Sequence, residues 1–142
     1  SGKADAFFTG RGEDAVWGVV YAVADGDVAA LDLLEGLGRD YFAHDVTVVG
    51  SATVSHDARL YTASPQMIDG RLLPFSWYKR LVMEGARGQG LPPDYLAMLE
   101  GTGAWEDPDR QRHQSEIAVV DGRAKGAAPI DRGVEDGPAG RN

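Results

Sequence analysis

The stretch DVAALDLLEG, residues 27–36, predicts a short helix with a defined end. From Val28 onward its apolar side chains recur at helical spacing and form one stripe. Asp25 or Asp27 can cap the start of this helix, and Gly36 can take the left-handed conformation that ends it.

Glu35 is the last residue before that glycine, and its position is unusual for a carboxylate. It lies seven residues after Val28 and four after Leu31, so it projects towards the buried side of the helix. It also lies at the negative end of the helix dipole, where a carboxylate is destabilised. Burial and the dipole both favour the protonated carboxyl, as a general acid/base near neutral pH requires. The alternative is that Glu35 extends to solvent or pairs with an arginine such as Arg39.

The composition limits the class of protein. With 142 residues the chain is long enough for one domain with a single core. It contains no cysteine, which excludes disulfides, thiol chemistry and cysteine-based zinc sites. Its net charge of −8 argues against nucleic acid as a partner, because phosphate binding needs a basic face. No apolar run approaches the roughly 20 residues of a membrane span, and no signal peptide is visible, so we expect a cytoplasmic protein.

Three segments predict strands. Residues 15–23, with the sequence AVWGVVYAV, carry no charged side chain. A strand that is apolar on both faces belongs in the middle of a covered sheet, so we expect this segment to be central. Residues 41–49 and 59–63 predict two further strands, separated by a polar turn. The apolar residues of segment 41–49 fit either register, so its facing stays open.

Two helices are predicted after these strands. Residues 75–87 place a broad apolar face on one side, and the glycines that follow end the helix. Pro92 and Pro93 open the second helix, which ends at Gly101.

Beyond Gly101 the composition becomes polar and rich in glycine and proline. We therefore expect a folded domain over residues 1–100 and a polar C-terminal arm or tail over residues 101–142. Residues 117–120 are the only apolar run in that part and suggest one extra strand.

Three tyrosines are candidates for a shared cavity. Tyr41, Tyr61 and Tyr78 each lie where the ring can pack in the core while the hydroxyl reaches a cavity. Alternatively, each is a core tyrosine whose hydroxyl bonds to the backbone. The three histidines lie far apart without local metal spacing, so we expect structural or surface roles for them and no metal site.

Beyond these single residues, the order of several motifs resembles the gamma-glutamylcyclotransferase (AIG2-like) family. The motifs lie in one register between residues 13 and 99 and are specific only in combination. They are Val-Trp-Gly-Val-Val-Tyr at residues 16–21, Leu-Asp-x-x-Glu-Gly at 31–36, Ala-Arg-Leu-Tyr at 58–61, Tyr-Lys-Arg at 78–80 and Gly-Ala-x-x-x-Gly-Leu-Pro at 85–92.

The resemblance implies an α+β fold, a small mixed β-barrel with flanking helices that encloses a cavity. It implies an enzyme that releases 5-oxoproline from a gamma-glutamyl amine or short gamma-glutamyl peptide, without a metal or an organic cofactor. The family's catalytic glutamate falls on Glu35, which would take a proton from the α-amine of the substrate and later protonate the departing amine. We expect Tyr41 and Tyr78 to shape the cavity and orient the substrate, and Tyr61 to line it.

One departure from the family pattern concerns the start of the chain. Family members begin with a strand and a Tyr-Gly-Ser-Asn-type loop whose backbone amides hold the substrate carboxylate, and no such motif occurs in this sequence. We therefore expect an upstream segment or a neighbouring chain, such as a second copy in a homodimer, to supply them, and residues 1–142 alone to be inactive.

Two alternatives to the enzyme stay open. One is a non-catalytic member of the same fold that binds a small ligand or a partner. The other is an acidic scaffold domain in which Glu35 takes part in an ion pair.

Overall fold

The computed structural model describes residues 2–50 and 53–126, with side chains up to residue 122. These residues form a mixed α/β fold of four helices and a two-stranded antiparallel sheet, and a closed barrel is not seen among them. None of the described helices combines the length and the apolarity that crossing a membrane requires. In chain order the elements are α1 (Asp25–Glu35), β1 (Tyr41–Val49), β2 (Ser55–Ala63), a 3₁₀ turn (Pro65–Met67), α2 (Ser76–Gly88), α3 (Pro93–Gly101) and α4 (Arg110–Gly126).

Helix α1 ends as predicted but begins differently. Ala24 is the N-cap residue and no side chain caps the helix, so the predicted aspartate cap is wrong. Asp25 and Asp27 lie in the first turn instead, where their charges interact favourably with the helix dipole. Gly36 ends the helix with a φ of 66°. A Cβ atom on Gly36 would lie 2.9 Å from Oδ2 of Asp40, which is the end of a movable side chain, so the positive φ is the main reason for glycine there.

The covered face of α1 is narrower than the predicted stripe. Val28 and Leu31 are half-buried, whereas Leu34 is 84% exposed. Glu35 is half-buried one turn after Leu31, on the side that the spacing predicts.

Strands β1 and β2 pair antiparallel, with Tyr41 opposite Ala63. Strand β1 has the predicted bounds, and β2 begins at Ser55, earlier than predicted. The structure also shows which side chains of β1 face the rest of the protein, a question that the sequence left open. Tyr41 is half-buried whereas Phe42 is exposed, so the odd-numbered residues at the start of β1 face the rest of the protein.

Residues 15–23 are not the central strand that their composition predicts. The segment pairs with no described strand, and its large side chains are exposed, Val16 by 64%, Trp17 by 51% and Tyr21 by 74%. An apolar sequence indicates that a segment needs cover on both faces, but other parts of the structure must supply that cover and the hydrogen bonds. Among the described residues nothing does so.

Helices α2 and α3 confirm the two predicted helices, with α2 displaced by one residue along the chain. Pro93 is the first residue of α3, as the sequence predicts. The apolar side chains that the described part of the chain buries most completely are Met83 and Ala86 on α2 and Val120 on α4. The core therefore lies where α2 packs against α4.

The extra strand predicted at residues 117–120 is wrong, because these residues belong to helix α4. Four apolar residues in a row fit one turn of helix as well as a short strand. Val120 is buried and Ile117, three residues earlier on the same side of the helix, is half-buried, whereas Val119 is 48% exposed. The part of the predicted arm beyond residue 126 lies outside the described residues.

Asp107 connects the segment between α3 and α4 to helix α2 through hydrogen bonds. Its buried carboxylate accepts hydrogen bonds from Nε1 of Trp77 at 2.9 Å, from the backbone N–H of Asp109 at 3.0 Å, and from Nε and Nη2 of Arg112 at 2.6 and 2.7 Å. These bonds, above all those from Arg112, hold the pKa of Asp107 far below its usual range. The guanidinium of Arg112 also lies 5.3 Å from the centre of the Phe75 ring.

We predict that Val120→Ala destabilises the protein by about 1.5–3 kcal/mol, because it removes two buried methyl groups and leaves a cavity beneath α4. The neighbouring Val119→Ala is the matched control and should change the free energy of unfolding by about 0.5 kcal/mol or less. Urea denaturation of both variants measures the difference. Equal effects of the two substitutions would contradict the packing of α4 on α2.

Candidate active site

The turn between α1 and β1 sets the position of Glu35. After the left-handed Gly36, the backbone N–H groups of Arg39 and Asp40 both donate to the carbonyl of Gly36 at 3.0 Å. The N–H of Gly38 donates to the carbonyl of Tyr41 at 2.9 Å. This compact turn brings the last residue of the helix close to the first residue of β1.

The sheet places two of the predicted tyrosines on one face. Ala43 lies opposite Tyr61, and Tyr41 lies two residues before Ala43, so Tyr41 and Tyr61 are diagonal neighbours on the same side. Arg59 lies two residues before Tyr61 and therefore shares that side.

The N-terminal segment connects this face to helix α2. The N–H of Ala4 donates to the hydroxyl oxygen of Tyr78 on α2 at 3.1 Å. The N–H of Ala63 at the end of β2 donates to a carboxylate oxygen of Asp5 at 2.9 Å. At its start, the N–H of Gly2 donates to the carbonyl of Leu73 at 3.0 Å.

These elements enclose an open pocket of about 460 Å³, here called the Glu35 pocket. It brings together all four residues that the sequence analysis singled out, which lie on helices α1 and α2 and on strands β1 and β2. Its lining residues are Lys3, Ala4, Glu35, Tyr41, Arg59, Leu60, Tyr61 and Tyr78.

The pKa of Tyr41 depends on its burial and on the charge of Glu35. Burial raises the pKa of Tyr41, and the negative charges of Glu35 and Asp5 raise it further. Arg39, the alternative partner of Glu35, bonds instead to Asp40, with 2.6 Å between Nη2 and Oδ2. No ion pair holds Glu35 within the described residues, so its carboxylate faces the pocket without a fixed cation.

Sequence reasoning missed Asp32 and Arg59. The hydroxyl of Tyr61 donates a hydrogen bond to Oδ1 of Asp32, and Nη1 of Arg59 lies 3.6 Å from the same oxygen. The bond to Asp32 raises the pKa of Tyr61. A signal for both residues was present, because Asp32 lies one helical turn before Glu35 and Arg59 shares the strand face of Tyr61.

The histidines contribute nothing to this pocket. Nε2 of His44 lies 3.0 Å from Oγ1 of Thr62 on the exposed face of the sheet, and His113 lies on α4. Among residues 2–50 and 53–122, whose side chains the structure describes, no three histidine, aspartate or glutamate side chains are grouped so that they could hold a metal ion.

The comparison with protein families gives one match. The family model of the AIG2-like family, which is the gamma-glutamylcyclotransferase-like family, matches residues 15–99. The chain belongs to this family.

The matched range covers more than half of the chain and includes Glu35, Tyr41, Tyr61 and Tyr78. No curated protein and no solved structure matches the AIG2-like chain. The family assignment therefore depends on the family model, together with the motif order in the sequence.

We predict that Glu35→Gln lowers the pKa of Tyr41, because it removes a negative charge that opposes ionisation of the phenol. NMR titration of protein labelled at the tyrosine Cζ atoms, with Tyr41→Phe to assign the signal, measures this pKa. Glu84→Gln is the matched control, since Glu84 is also half-buried but lies on α2 outside the pocket. If both variants left the Tyr41 titration unchanged, Glu35 would not lie beside Tyr41.

Proposed function

We propose that this AIG2-like protein is a gamma-glutamylcyclotransferase that releases 5-oxoproline from a gamma-glutamyl amine or a short gamma-glutamyl peptide. The observation that carries the proposal is the Glu35 pocket, in which a half-buried carboxylate without a fixed cation lies among three tyrosines. Family membership supports the reaction class at a general level.

Glu35 is the proposed general acid/base. It takes a proton from the α-ammonium group of the substrate, and the α-nitrogen then attacks the γ-carbonyl carbon. A new C–N bond closes the five-membered ring, and the amide bond to the departing amine breaks. The ring nitrogen gives up two protons in all, and Glu35 passes them to the departing nitrogen, which leaves as an ammonium ion. No water molecule and no oxidant is consumed.

The charges around the pocket match the two charges of a gamma-glutamyl group. Glu35 is a negative partner for the α-ammonium group, and Arg59 and Lys3 are positive partners for the α-carboxylate. Arg59 lies beside two carboxylates, with Nη1 at 3.6 Å from Oδ1 of Asp32 and Nε at 4.0 Å from Oδ1 of Asp45. We propose that Arg59 binds the substrate carboxylate, since a guanidinium can bond both oxygens of a carboxylate at once.

The tyrosines are the proposed orienting residues. The hydroxyl of Tyr61 is committed to Asp32, so its ring forms a wall of the pocket. The hydroxyl of Tyr78 accepts a bond from Ala4 and keeps its own proton available for a substrate oxygen. Tyr41, whose pKa is raised by burial, remains a neutral hydrogen-bond donor over the whole physiological pH range.

We predict that Glu35→Gln lowers kcat for 5-oxoproline release by at least about 10²–10⁴-fold, because the amide keeps the shape of the side chain but cannot carry a proton. The assay measures 5-oxoproline from a gamma-glutamyl amide with the full-length protein. Glu84→Gln, the same change outside the pocket, should retain wild-type activity. Substantial turnover by Glu35→Gln would refute the assignment of Glu35.

We predict that Arg59→Gln raises KM by roughly 10–100-fold with a smaller change in kcat, because it removes charge-assisted hydrogen bonds to the bound carboxylate. Arg59→Lys should restore part of the affinity, since the charge returns without the planar fork. Arg71→Gln is the control, because the Arg71 side chain is 90% exposed and pairs with Asp69 in a loop. An unchanged KM in Arg59→Gln would assign the carboxylate to another group.

The second candidate is a member of the same fold that binds a partner and has no activity. The observation in its favour is segment 15–23, which exposes Val16, Trp17 and Tyr21 and has no strand neighbour among the described residues. A further chain segment or a second copy of the protein could pair with it. Release of 5-oxoproline by the wild type distinguishes the two candidates.

A further inference from the structure

Helix α1 carries the proposed acid/base, Glu35, but it packs on few apolar side chains. None of its residues is buried, and Leu33 and Leu34 are largely exposed. The extensive contacts between the described elements join β1 to β2, α2 to α3 and α2 to α4, and α1 takes part in none of them. A helix of 11 residues is also only marginally stable on its own. The direction of α1 therefore depends on a few specific contacts.

Two points hold the C-terminal half of α1. The first is the turn that begins at Gly36, where backbone hydrogen bonds connect the end of the helix to Tyr41, the first residue of β1. The second is Asp32, one turn before the end, whose carboxylate accepts the hydrogen bond from the Tyr61 hydroxyl on β2. One point alone would let the helix rotate about the turn, whereas two points one turn apart define the face that α1 presents to the sheet.

The carboxylate of Asp32 has two partners of different kinds. The hydroxyl of Tyr61 donates a directional hydrogen bond to Oδ1, whereas Nη1 of Arg59 lies 3.6 Å from the same oxygen, beyond hydrogen-bond distance. The Asp32 side chain is 25% exposed, so solvent and salt screen this attraction less than they would at an open surface. The hydrogen bond therefore sets the geometry, and the charge of Arg59 adds attraction to the same oxygen.

Glu35 lies three residues after Asp32, so the two side chains leave α1 on the same side. A rotation of the helix that separates Asp32 from Tyr61 also turns Glu35 away from the pocket that it shares with Tyr41. We propose that Asp32 is the positioning residue for Glu35, held by the Tyr61 hydroxyl so that the Glu35 carboxylate faces the pocket. The inference rests on the proposed function for what Glu35 does, whereas the position of Glu35 can be tested without any reaction.

The pKa of Tyr41 reports the position of Glu35. Burial raises this pKa, and the nearby negative charge that raises it most is that of Glu35. Neither Asp32 nor Tyr61 is among the groups that raise it. A substitution of Asp32 or Tyr61 that alters the Tyr41 titration therefore acts by moving Glu35.

The test is an NMR titration of the Tyr41 phenol in Asp32→Ala and in Tyr61→Phe. We expect both substitutions to lower the pKa of Tyr41, in the same direction as Glu35→Gln and by no more than that variant does. In the Glu35→Gln background neither substitution should shift the pKa further, since the charge that it moves is already gone. An unchanged Tyr41 pKa in the folded variants, or a shift that persists in full after Glu35→Gln, would overturn the inference.

Asp45→Ala is the matched control. Asp45 also lies beside Arg59, with 4.0 Å between Oδ1 and Nε, but its side chain is 93% exposed and belongs to β1. Its removal should leave the Tyr41 titration unchanged, and a shift as large as that of Asp32→Ala would trace the effect to Arg59 and contradict the inference. Thermal unfolding shows which variants fold, and Tyr61→Phe decides the question if Asp32→Ala does not.

The kinetic test uses release of 5-oxoproline by the full-length protein. Asp32→Ala should lower kcat by about 10–10²-fold, because a misplacement of about 1 Å at a reacting group costs up to that much. In the Glu35→Gln background the same change should cost less than about threefold, and a full multiplicative loss would mean that Asp32 acts apart from Glu35. If the wild type releases no 5-oxoproline from any gamma-glutamyl amide, the proposed function fails, and the Tyr41 titration still decides whether Asp32 positions Glu35.

Discussion

The geometry of the site depends on the contacts of the Asp32 carboxylate. This carboxylate accepts a hydrogen bond from the Tyr61 hydroxyl and lies 3.6 Å from the Arg59 guanidinium, so it joins helix α1 to strand β2. Apolar packing cannot do this alone, because Leu33 and Leu34 of α1 are 82% and 84% exposed. The hydrogen bond from Tyr61 has a preferred distance and angle, and the charge of Arg59 attracts the same carboxylate, so together they restrict the rotation of α1 more than a few half-buried side chains would. Glu35, one turn after Asp32, is aimed into the pocket by that rotation.

Helix α2 links the site to the core. Tyr78 lines the Glu35 pocket, and Met83, about one and a half turns later on the same helix, is 5% exposed and belongs to the core. Asp107 and Arg112 hold the start of the same helix through Trp77 and Phe75. A change in the packing of α4 on α2 should therefore alter the position of Tyr78, although no described side chain of α4 lines the Glu35 pocket.

The local parts of the fold could be predicted from the sequence. The end of α1 at Gly36 depends on one residue that tolerates a positive φ, and the opening of α3 depends on Pro93, so neither needs information from elsewhere in the chain. The sequence alone suggested a shared cavity for the three tyrosines, but the family resemblance was needed to place Glu35 in it, since sequence spacing alone does not bring α1, the sheet and α2 together.

The errors have a common physical cause. The apolar composition of segment 15–23 indicates that the segment needs cover on both faces. Whether a neighbouring strand supplies that cover depends on the folded structure and cannot be read from the segment itself. The run 117–120 is too short for periodicity to separate helix from strand, and packing on α2 decides it. The role of Asp32 was missed because its partners, Arg59 and Tyr61, lie on β2 and come close to Asp32 only in the folded structure.

The charges around the Glu35 pocket suit the reaction that we propose, which splits its substrate in two. In that reaction 5-oxoproline would retain the carboxylate, and Glu35 and Arg59 lie where they can bind the α-ammonium and α-carboxylate groups from which it forms. The departing amine would leave as an ammonium ion, which water solvates well. Because the Glu35 pocket is open, the charge that the proposed reaction creates would favour release of the amine to solvent.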